Sequence, residues 1–434
     1  MSGAISKIVG GALLLASVAS AAQAGGLERG GYNWDLLFEP GRFASEAGAI
    51  YVMPERRIKN AVDTNPRDGL GSNGIGGGAT SVDETPDYTV PRFGVKVGLT
   101  DDADCLASYA EPWGVHTDPG YDWVGANQNI ETKIRSHDYG LTCSYRFDVG
   151  KGQLRAIGGV SYQEVSGFKR RLVLGPAIIQ GALGPAAAGF DGSGLLDLEA
   201  DGVGWRVGAA YEIPEYAFRA SLIYNAEIDL GQINGTVDLT EIPGVMAGAL
   251  RNPFVGRITD VYGTATMPQS VQFNWQTGIA PDWLAFGTVK WVDWSVLEVI
   301  AFCPTSTKSL GSCGPSSPFR LTSLDLMFQD GWTVSAGLGH KFNDQWSASA
   351  QLSWDRGTST GLTTQTDTYL LSSGVAYAPN KNVELRVGGA VGMLTSGSYG
   401  PTPCPGNQTC GTDVSYDFGD DLVTALSISG KVKF

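Results

Sequence analysis

Apolar and polar residues alternate along most of this chain. In residues 420–434, the last of the sequence, one face is apolar and consists of Leu422, Leu426, Ile428, Val432 and Phe434. A period of two with one apolar face predicts a β-strand. Fourteen segments have strand character: 45–57, 89–100, 103–114, 131–148, 152–169, 195–213, 216–231, 266–280, 283–298, 322–341, 345–356, 367–378, 382–395 and 420–434.

The connections between these segments alternate between long and short. Residues 58–88, 170–194 and 232–265 are long connections, whereas 150–151 is a short one. Short turns at one end and long loops at the other are typical of outer-membrane β-barrels, as is an even number of strands. A soluble β-sandwich, the alternative for the last strand taken alone, has no reason to sort its loops in this way. Residues 45–434 are therefore predicted to form an all-β, 14-stranded antiparallel transmembrane β-barrel.

The start of the chain predicts export. Residues 1–24 contain Lys7, an apolar core and the small-residue end Ala22-Gln23-Ala24, which together indicate a cleavable signal peptide. No later apolar run approaches the ~20 residues that a membrane helix needs. A closed barrel can still span a membrane, because closure satisfies every backbone polar group.

The net charge and the cysteine and histidine content limit which partners and which chemistry the chain can have. The net charge of −14 argues against nucleic acid as a partner. Export permits disulfides, and proximity along the chain or on consecutive strands favours Cys105–Cys143, Cys303–Cys313 and Cys404–Cys410. The chain has three histidines, His116, His137 and His340, and none stands at ligand spacing with a cysteine. We therefore expect no metal site and no cofactor.

Several blocks of the chain resemble the FadL-type outer-membrane transporters of long-chain fatty acids and other hydrophobic compounds. They are Met267-Pro268-Gln269-Ser270, Pro281-Asp282-Trp283, Trp291-Val292-Asp293-Trp294-Ser295, Asp330-Gly331-Trp332-Thr333-Val334, Asn343-Asp344-Gln345-Trp346 and Tyr377-Ala378-Pro379-Asn380-Lys381. The resemblance covers most of residues 25–434. It implies a lumen plugged by an N-terminal hatch, an apolar entry groove among the outer loops, a pocket inside the barrel and a lateral opening at the third strand.

The resemblance assigns residues to the hatch and to the lateral opening. The hatch would be residues 25–44, which are fewer than family members usually have, with these residues left to occlude the lumen: Asn33, Trp34, Leu36, Leu37 and Phe38. The opening would lie at Ser108, Tyr109, Pro112, Trp113 and Gly114. Pro112 cannot donate to a sheet ladder and Gly114 weakens one, although a proline at an ordinary strand end explains the pattern equally well.

The family's carboxylate-binding cations match Lys169, Arg170 and Arg171, with Arg320 as the nearest candidate for a second basic position. A cation beside an apolar tunnel suits a fatty acid, which needs charge-assisted hydrogen bonds for its head and burial for its tail. The alternative is that residues 169–171 are rim charges that meet anionic lipopolysaccharide. The outer loop 172–198 is unusually apolar. Its composition predicts an apolar binding surface that includes Leu172, Leu174, Ile178 and Ile179. Apolar residues at near-helical spacing predict a short helix in this loop and a second one in 239–255.

The sequence therefore predicts a bacterial outer-membrane channel for passive uptake of long-chain fatty acids or similar hydrophobic molecules. Aromatic hydrocarbons as substrates and a general polar porin are the alternatives. Outer-membrane lipids, lipopolysaccharide and the barrel assembly machinery, which would read Phe434, are the other expected partners. The chain is not expected to be an enzyme, because His340 has no accompanying serine and aspartate for a lipid hydrolase.

Overall fold

Fourteen antiparallel strands close into a barrel in the computed structural model, which describes residues 26–32, 34–63, 65, 78–404 and 408–434. The predicted signal peptide, 1–24, lies outside the described residues. The barrel strands β1 to β14 are Phe43–Pro54, Tyr88–Gly98, Ala103–Ala110, Glu131–Val149, Gly152–Leu172, Ser193–Ile213, Phe218–Asn225, Ser270–Ala280, Trp283–Val292, Gly331–Lys341, Trp346–Asp355, Thr368–Asn380, Val383–Leu394 and Asp421–Lys433. Each strand pairs with its two neighbours, which confirms the predicted 14-stranded barrel.

The chain ends close the ring. β1 and β14 pair from Ala44 with Lys433 to Pro54 with Val423. Beyond this ladder, the Phe434 N–H donates to the Phe43 carbonyl at 2.9 Å, and the Phe43 N–H donates to the Phe434 carbonyl at 3.1 Å. The last strand therefore pairs with the first, as predicted.

The alternation of apolar and polar residues gives the outer and inner faces of the barrel wall different surfaces. On β14, Leu426 and Ile428 expose 59% and 65% of their surface, whereas Ala425 and Lys431 are buried inside. Exposed aromatic side chains stand near strand ends on the outer face: Tyr216, Trp283, Trp332, Trp346 and Tyr369. An apolar outer band with aromatic residues at its borders is the surface that a barrel presents to lipid.

Five barrel strands are interrupted at their outer ends, where the sequence pattern predicted continuous strands. β3 stops at Ala110 and resumes as Gly114–Thr117. The predicted strands 216–231, 266–280, 283–298 and 322–341 also contain breaks. Beyond those breaks, the sheet continues as Ile228–Asp238, Ile258–Met267, Val299–Pro304 and Thr322–Asp325. These breaks are two to six residues long, and the segments on both sides of each are themselves strands, which is why the pattern alone did not reveal the breaks.

The outer loops have their own structure. Arg57–Asp63, Val82–Asp83, Gly397–Tyr399 and Val414–Phe418 form a small sheet, and Thr402–Cys404 pairs with Gln408–Cys410. The helix α1 spans Pro176–Leu183 in the predicted apolar loop. Short 3-10 turns are Asp35–Phe38, Pro185–Ala187, Pro214–Tyr216, Gly244–Met246, Trp294–Val296 and Thr305–Thr307. Within the described residues, no helix is long and apolar enough to cross a membrane.

The segment 239–255 contains one 3-10 turn, Gly244–Met246, where the sequence predicted a second apolar helix. Pro243 and Pro253 bracket the turn, and glycines add to the cost of a helix here. The structure joins the three expected cysteine pairs, Cys105–Cys143 between β3 and β4, Cys303–Cys313, and Cys404–Cys410.

The N-terminal segment, residues 26–32 and 34–42, lies inside the barrel. Leu37 is fully buried and belongs to one apolar cluster with Leu106 of β3, Ile157 of β5 and Ile223 of β7. The segment thus packs against one side of the barrel wall.

Inward-facing cations pair with acids in the lumen. The Glu39 carboxylate lies between the ammonium groups of Lys431 and Lys433, at 2.7 and 2.6 Å. The further pairs are Arg155–Asp104, Arg206–Asp138, Arg219–Asp35, Lys290–Glu28 and Arg386–Glu46. Three of these acids, Glu28, Asp35 and Glu39, belong to the N-terminal segment, so the ion pairs tie that segment to the wall.

Candidate functional site

An apolar cavity lies inside the outer part of the barrel. It is enclosed by the outer halves of β4 to β6, by the strands on the outer side of the breaks and by the N-terminal segment. Its volume, including the open mouth, is about 740 Å³, which is in the range of small-molecule sites. The lining is mainly apolar and includes Leu27, Trp113, Ile134, Val165, Leu198, Ile233, Met267 and Phe302.

The cavity stands above the lipid-facing band of the barrel. On β5, the outward side chains change from Val160 and Tyr162, which are exposed and apolar or aromatic, to Glu164 and Ser166. Because acidic side chains are costly in hydrocarbon, the membrane-spanning part of β5 ends near Tyr162. The remaining residues of β5, to Leu172, extend into the outer compartment.

Lys169 is the cation in the lining of this cavity. It stands on the inward face of β5, and part of its surface faces the cavity. Burial and the nearby Arg171 lower the pKa of Lys169 to about 8, although Asp325 favours the charged form. An ammonium group with this pKa is mainly protonated at neutral pH and can donate hydrogen bonds to a carboxylate.

A second, more polar cleft of about 700 Å³ shares Lys169 with the apolar cavity. Its lining adds the amides of Gln128 and Asn129 and the hydroxyl of Thr364. Lys169 therefore marks the boundary between an apolar and a polar compartment. An amphipathic molecule can place its tail in the first and its charged head beside Lys169.

The other three predicted cations lie outside the cavity lining. Arg170 points the opposite way from Lys169 and pairs with Asp191 of the loop at 2.7 Å. The Arg171 guanidinium contacts the Asn127 carbonyl at 3.4 Å. Arg320 is exposed on the loop between β9 and β10. The run of three basic residues thus splits into different environments, because alternate residues of a strand face opposite sides.

The predicted apolar loop residues are packed inside the outer loops. Leu172, Leu174 and Ile179 are buried, and Ile178 is half-buried. Leu174 and Ile179 belong to the same apolar cluster as Phe302, which lines the cavity. The loop therefore backs the cavity wall and does not itself line the cavity.

The interruption of β3 turns one side chain into the lumen. Between the paired residues Ala110 and Gly114, three residues of β3 stand opposite two of β4, which is a β-bulge. Trp113 in the bulge is buried, and its ring contacts Trp294 edge to face at a centroid distance of 5.1 Å. Ser136 holds the bulge by accepting from the Trp113 N–H at 2.9 Å and donating to its carbonyl at 2.8 Å.

A gap in the ladder lies beside this bulge. β2 pairs with β3 between Gly98 and Arg92, and residues 88–91 have no β3 partner in the described chain. The outer part of β3, 114–117, pairs with β4. Ser108 remains in the ladder below the gap, and Tyr109 lies on the outer face.

Arg29 of the N-terminal segment fills the gap from inside. The Arg29 N–H donates to the Pro112 carbonyl at 2.9 Å, and the Gly114 N–H donates to the Leu27 carbonyl at 2.7 Å. The Arg29 guanidinium lies over the Tyr88 ring at 4.0 Å. A Cβ at Gly114 would stand 2.9 Å from both the Ile134 carbonyl oxygen and the Arg29 side chain, and because the backbone oxygen cannot move aside, the close approach favours glycine there.

The predicted hatch residues occupy one side of the lumen. Trp34, Leu36, Leu37 and Phe38 are buried against the wall, and Asn33 lies outside the described residues. A polar chamber of about 970 Å³ remains on the other side. Its lining includes amide and hydroxyl side chains of β8 to β11: Gln272, Asn274, Thr288, Ser335 and Gln351.

Sequence reasoning missed the contributions of Leu27 and Arg29 to the cavity and the gap. The segment 25–43 has no clean period, so its individual contacts had no sequence signal. Phe302 was also missed because the long loop between β9 and β10 folds inward. Ile134 and Val165 had a usable signal, since their strands alternate for longer than a membrane crossing requires.

Comparisons with known proteins agree on one fold. A family model described as outer membrane protein transport protein (OMPP1/FadL/TodX) matches residues 37–399. Among the curated proteins, none matches significantly. A Pseudomonas aeruginosa FadL homologue superimposes with a TM-score of 0.72 at 17% identity, covering 98% of this chain and 100% of that one.

Two further solved structures are similar. The Pseudomonas putida toluene transporter TodX gives a TM-score of 0.58 at 16% identity, with 96% of this chain and 97% of that one covered. A structure described as the CymD monoaromatic hydrocarbon channel gives 0.55 at 16% identity, with 92% and 90% covered. At these identities the likeness shows the fold.

Proposed function

The chain belongs to the OMPP1/FadL/TodX family of outer membrane transport proteins, and from this premise we propose that it takes up long-chain carboxylic acids by passive diffusion. The family places it in the outer membrane as a multi-pass barrel and makes it a transport channel for hydrophobic compounds. The acid as substrate, the route and the residues on it are the proposal.

The position of Lys169 carries this proposal. A cavity that bound hydrocarbons alone would gain nothing from an ammonium group, because a charge beside apolar surface is costly. Asp325 offsets this cost only in part, since the pKa of Lys169 stays lowered. A bound carboxylate would add charge-assisted hydrogen bonds to the ammonium group. Each CH₂ group of the tail buried in the cavity adds about 0.8 kcal/mol.

The proposed exit is the gap beside the β3 bulge. Leu27 lines the cavity, and Arg29, two residues later, fills the gap. A displacement of this short stretch would therefore open the cavity through the wall at the outer rim of the lipid-facing band. The ion pairs of Glu39 with Lys431 and Lys433 hold the following residues in the lumen, which favours a lateral exit over one through the periplasmic end. Residues 25–44 act in this scheme as a hatch.

A cavity-filling variant tests the route. Ala265 lines the apolar cavity, and the neighbouring Thr264 is exposed on the opposite face. In cells that lack other such channels, Ala265→Trp is expected to abolish uptake of labelled oleate, whereas Thr264→Trp retains it. Equal uptake by the two variants at equal surface levels would remove the cavity from the route.

Aromatic hydrocarbons are the second candidate substrate. The solved relatives named as toluene and monoaromatic hydrocarbon channels favour it, as does the apolar lining. A competition assay with purified protein separates the candidates. Displacement of a bound hydrocarbon probe by oleate but not by oleyl alcohol supports the acid, and equal displacement by both supports the hydrocarbon.

A general polar porin is the third candidate, and the polar chamber is the feature that favours it. The packing of the N-terminal segment inside the barrel and the ion pairs that tie it to the wall oppose it. Planar-bilayer recordings distinguish the two: a steady large ionic conductance would contradict a channel for hydrophobic molecules.

A further inference from the structure

Three side chains with metal-binding atoms meet at the outer end of the interrupted β3. They are His116 on the resumed part of β3, Asp118 just after it, and Glu131 at the start of β4. One ligand atom from each lies within 4.8 Å of the others. The His116 Nε2 atom and a Glu131 carboxylate oxygen are 3.0 Å apart.

The geometry is close to what a divalent transition metal requires. Tetrahedral zinc with bonds of about 2.0–2.1 Å to nitrogen and oxygen places its ligand atoms about 3.3 Å apart. His116 and Glu131 already meet this spacing. Asp118 is exposed, so its carboxylate can move closer by a side-chain rotation.

The combination of one imidazole and two carboxylates indicates which class of metal the site would bind. Calcium and magnesium prefer oxygen atoms alone, whereas an imidazole suits zinc and its neighbours. We propose that His116, Asp118 and Glu131 form a site for a zinc-type divalent cation at the outer mouth of the channel. A water molecule would complete the coordination.

The position gives such a site a structural effect. The stretch 114–117 pairs with β4 on one side and borders the gap on the other. Asp118 is anchored through its N–H, which donates to the Glu84 carbonyl at 2.7 Å. A metal that joins His116 and Asp118 to Glu131 would fix this stretch against β4. This inference does not depend on which molecule the channel carries.

The competing explanation is an ordinary His116–Glu131 ion pair with Asp118 as a surface acid. The two explanations differ in one measurable respect, because an ion pair has no affinity for zinc beyond that of exposed side chains. The chain offers matched controls, since its other two histidines, His137 and His340, lie elsewhere on the barrel wall.

Isothermal titration of the full-length barrel with ZnCl₂ at neutral pH tests the site. The protein must carry no polyhistidine tag. One saturable site is expected, and it is retained in His137→Gln and His340→Gln. His116→Gln and Glu131→Gln should each weaken zinc binding by more than about tenfold, because both remove a direct ligand. Unchanged heat-modifiable migration on gels shows that each variant is folded.

Two results would overturn the inference. The first is the absence of saturable zinc binding to the wild-type protein. The second is an affinity in His116→Gln that equals the wild-type value. A parallel titration with CaCl₂ checks the metal class: binding as tight as that of zinc would contradict the proposed role of the imidazole.

Discussion

Replacing Lys169 with methionine should separate recognition of the carboxylate from recognition of the apolar tail. Methionine keeps most of the length of the side chain and its apolar stem, so the cavity keeps its shape while the charge is lost. Lys169 is the cation in the cavity lining, which makes it the group that the head of an acid would meet. The substitution should therefore weaken binding of an acid and spare binding of the matching alcohol.

The expected magnitude follows from the lost interaction. A hydrogen bond to a charged group contributes about 1.5–3 kcal/mol, and 1.4 kcal/mol corresponds to a factor of ten in affinity. The dissociation constant for oleate should therefore rise about 10- to 100-fold. The constant for oleyl alcohol should stay the same or fall slightly, because the wall becomes wholly apolar.

The pH dependence gives an independent check. The pKa of Lys169 is lowered to about 8, so the free site is about 90% protonated at pH 7 and about 10% at pH 9. Only the protonated form attracts a carboxylate. Affinity for oleate should thus fall as the pH rises above 8, whereas affinity for the alcohol should not change.

Equilibrium binding to purified protein in detergent measures these constants. Arg170→Gln is the matched control, because Arg170 is the neighbouring cation but pairs with Asp191 on the opposite side. It should bind oleate like the wild type. If Lys169→Met and Arg170→Gln bind oleate equally well, or if the wild type shows no pH dependence, the assignment of Lys169 to the head group is refuted.

Three further outcomes are expected. Glu39→Gln should lower the thermal unfolding temperature markedly, because it leaves the half-buried Lys433 without its carboxylate and the buried Lys431 with Glu384, 3.6 Å away, as its remaining partner, at a cost of up to about 3–5 kcal/mol; calorimetry measures this. Burial raises the pKa of Glu84 to about 7, so the outer loops around it should be more stable at pH 5 than at pH 8. Hydrogen exchange detects the difference, which Glu84→Gln should abolish. Deletion of Phe434, which is exposed at the closure of β1 and β14, should reduce membrane assembly on heat-modifiability gels while leaving substrate preference unchanged.

The sequence determined the barrel because its two main signals are local and repeated. Alternation in fourteen segments located the strands, and the lengths of the connections sorted the two ends. The three cysteine pairs also followed from the sequence. These features depend on strand period and neighbouring segments, which a single chain displays directly.

The candidate site was only partly accessible to the sequence. Lys169 was expected to meet the substrate and lines the cavity, but Arg170 and Arg171 were expected there too and lie elsewhere. Strand alternation already implied that Arg170 faces away. The burial of Leu174 and Ile179 behind the cavity wall could not be foreseen, because an apolar loop packs equally well against protein or ligand.

Only the tertiary structure determines where the segments without hydrophobic periodicity lie and which residues they contact. The placement of Arg29 in the gap beside β2 depends on the bulge at Trp113 and on the direction of the N-terminal segment through the lumen. The meeting of His116 with Glu131, fifteen residues apart along the chain, depends on the loop that returns β4 beside β3. Such contacts join residues whose proximity is set by the bulge, by the loops and by the path of the N-terminal segment, and no local pattern in the sequence records these.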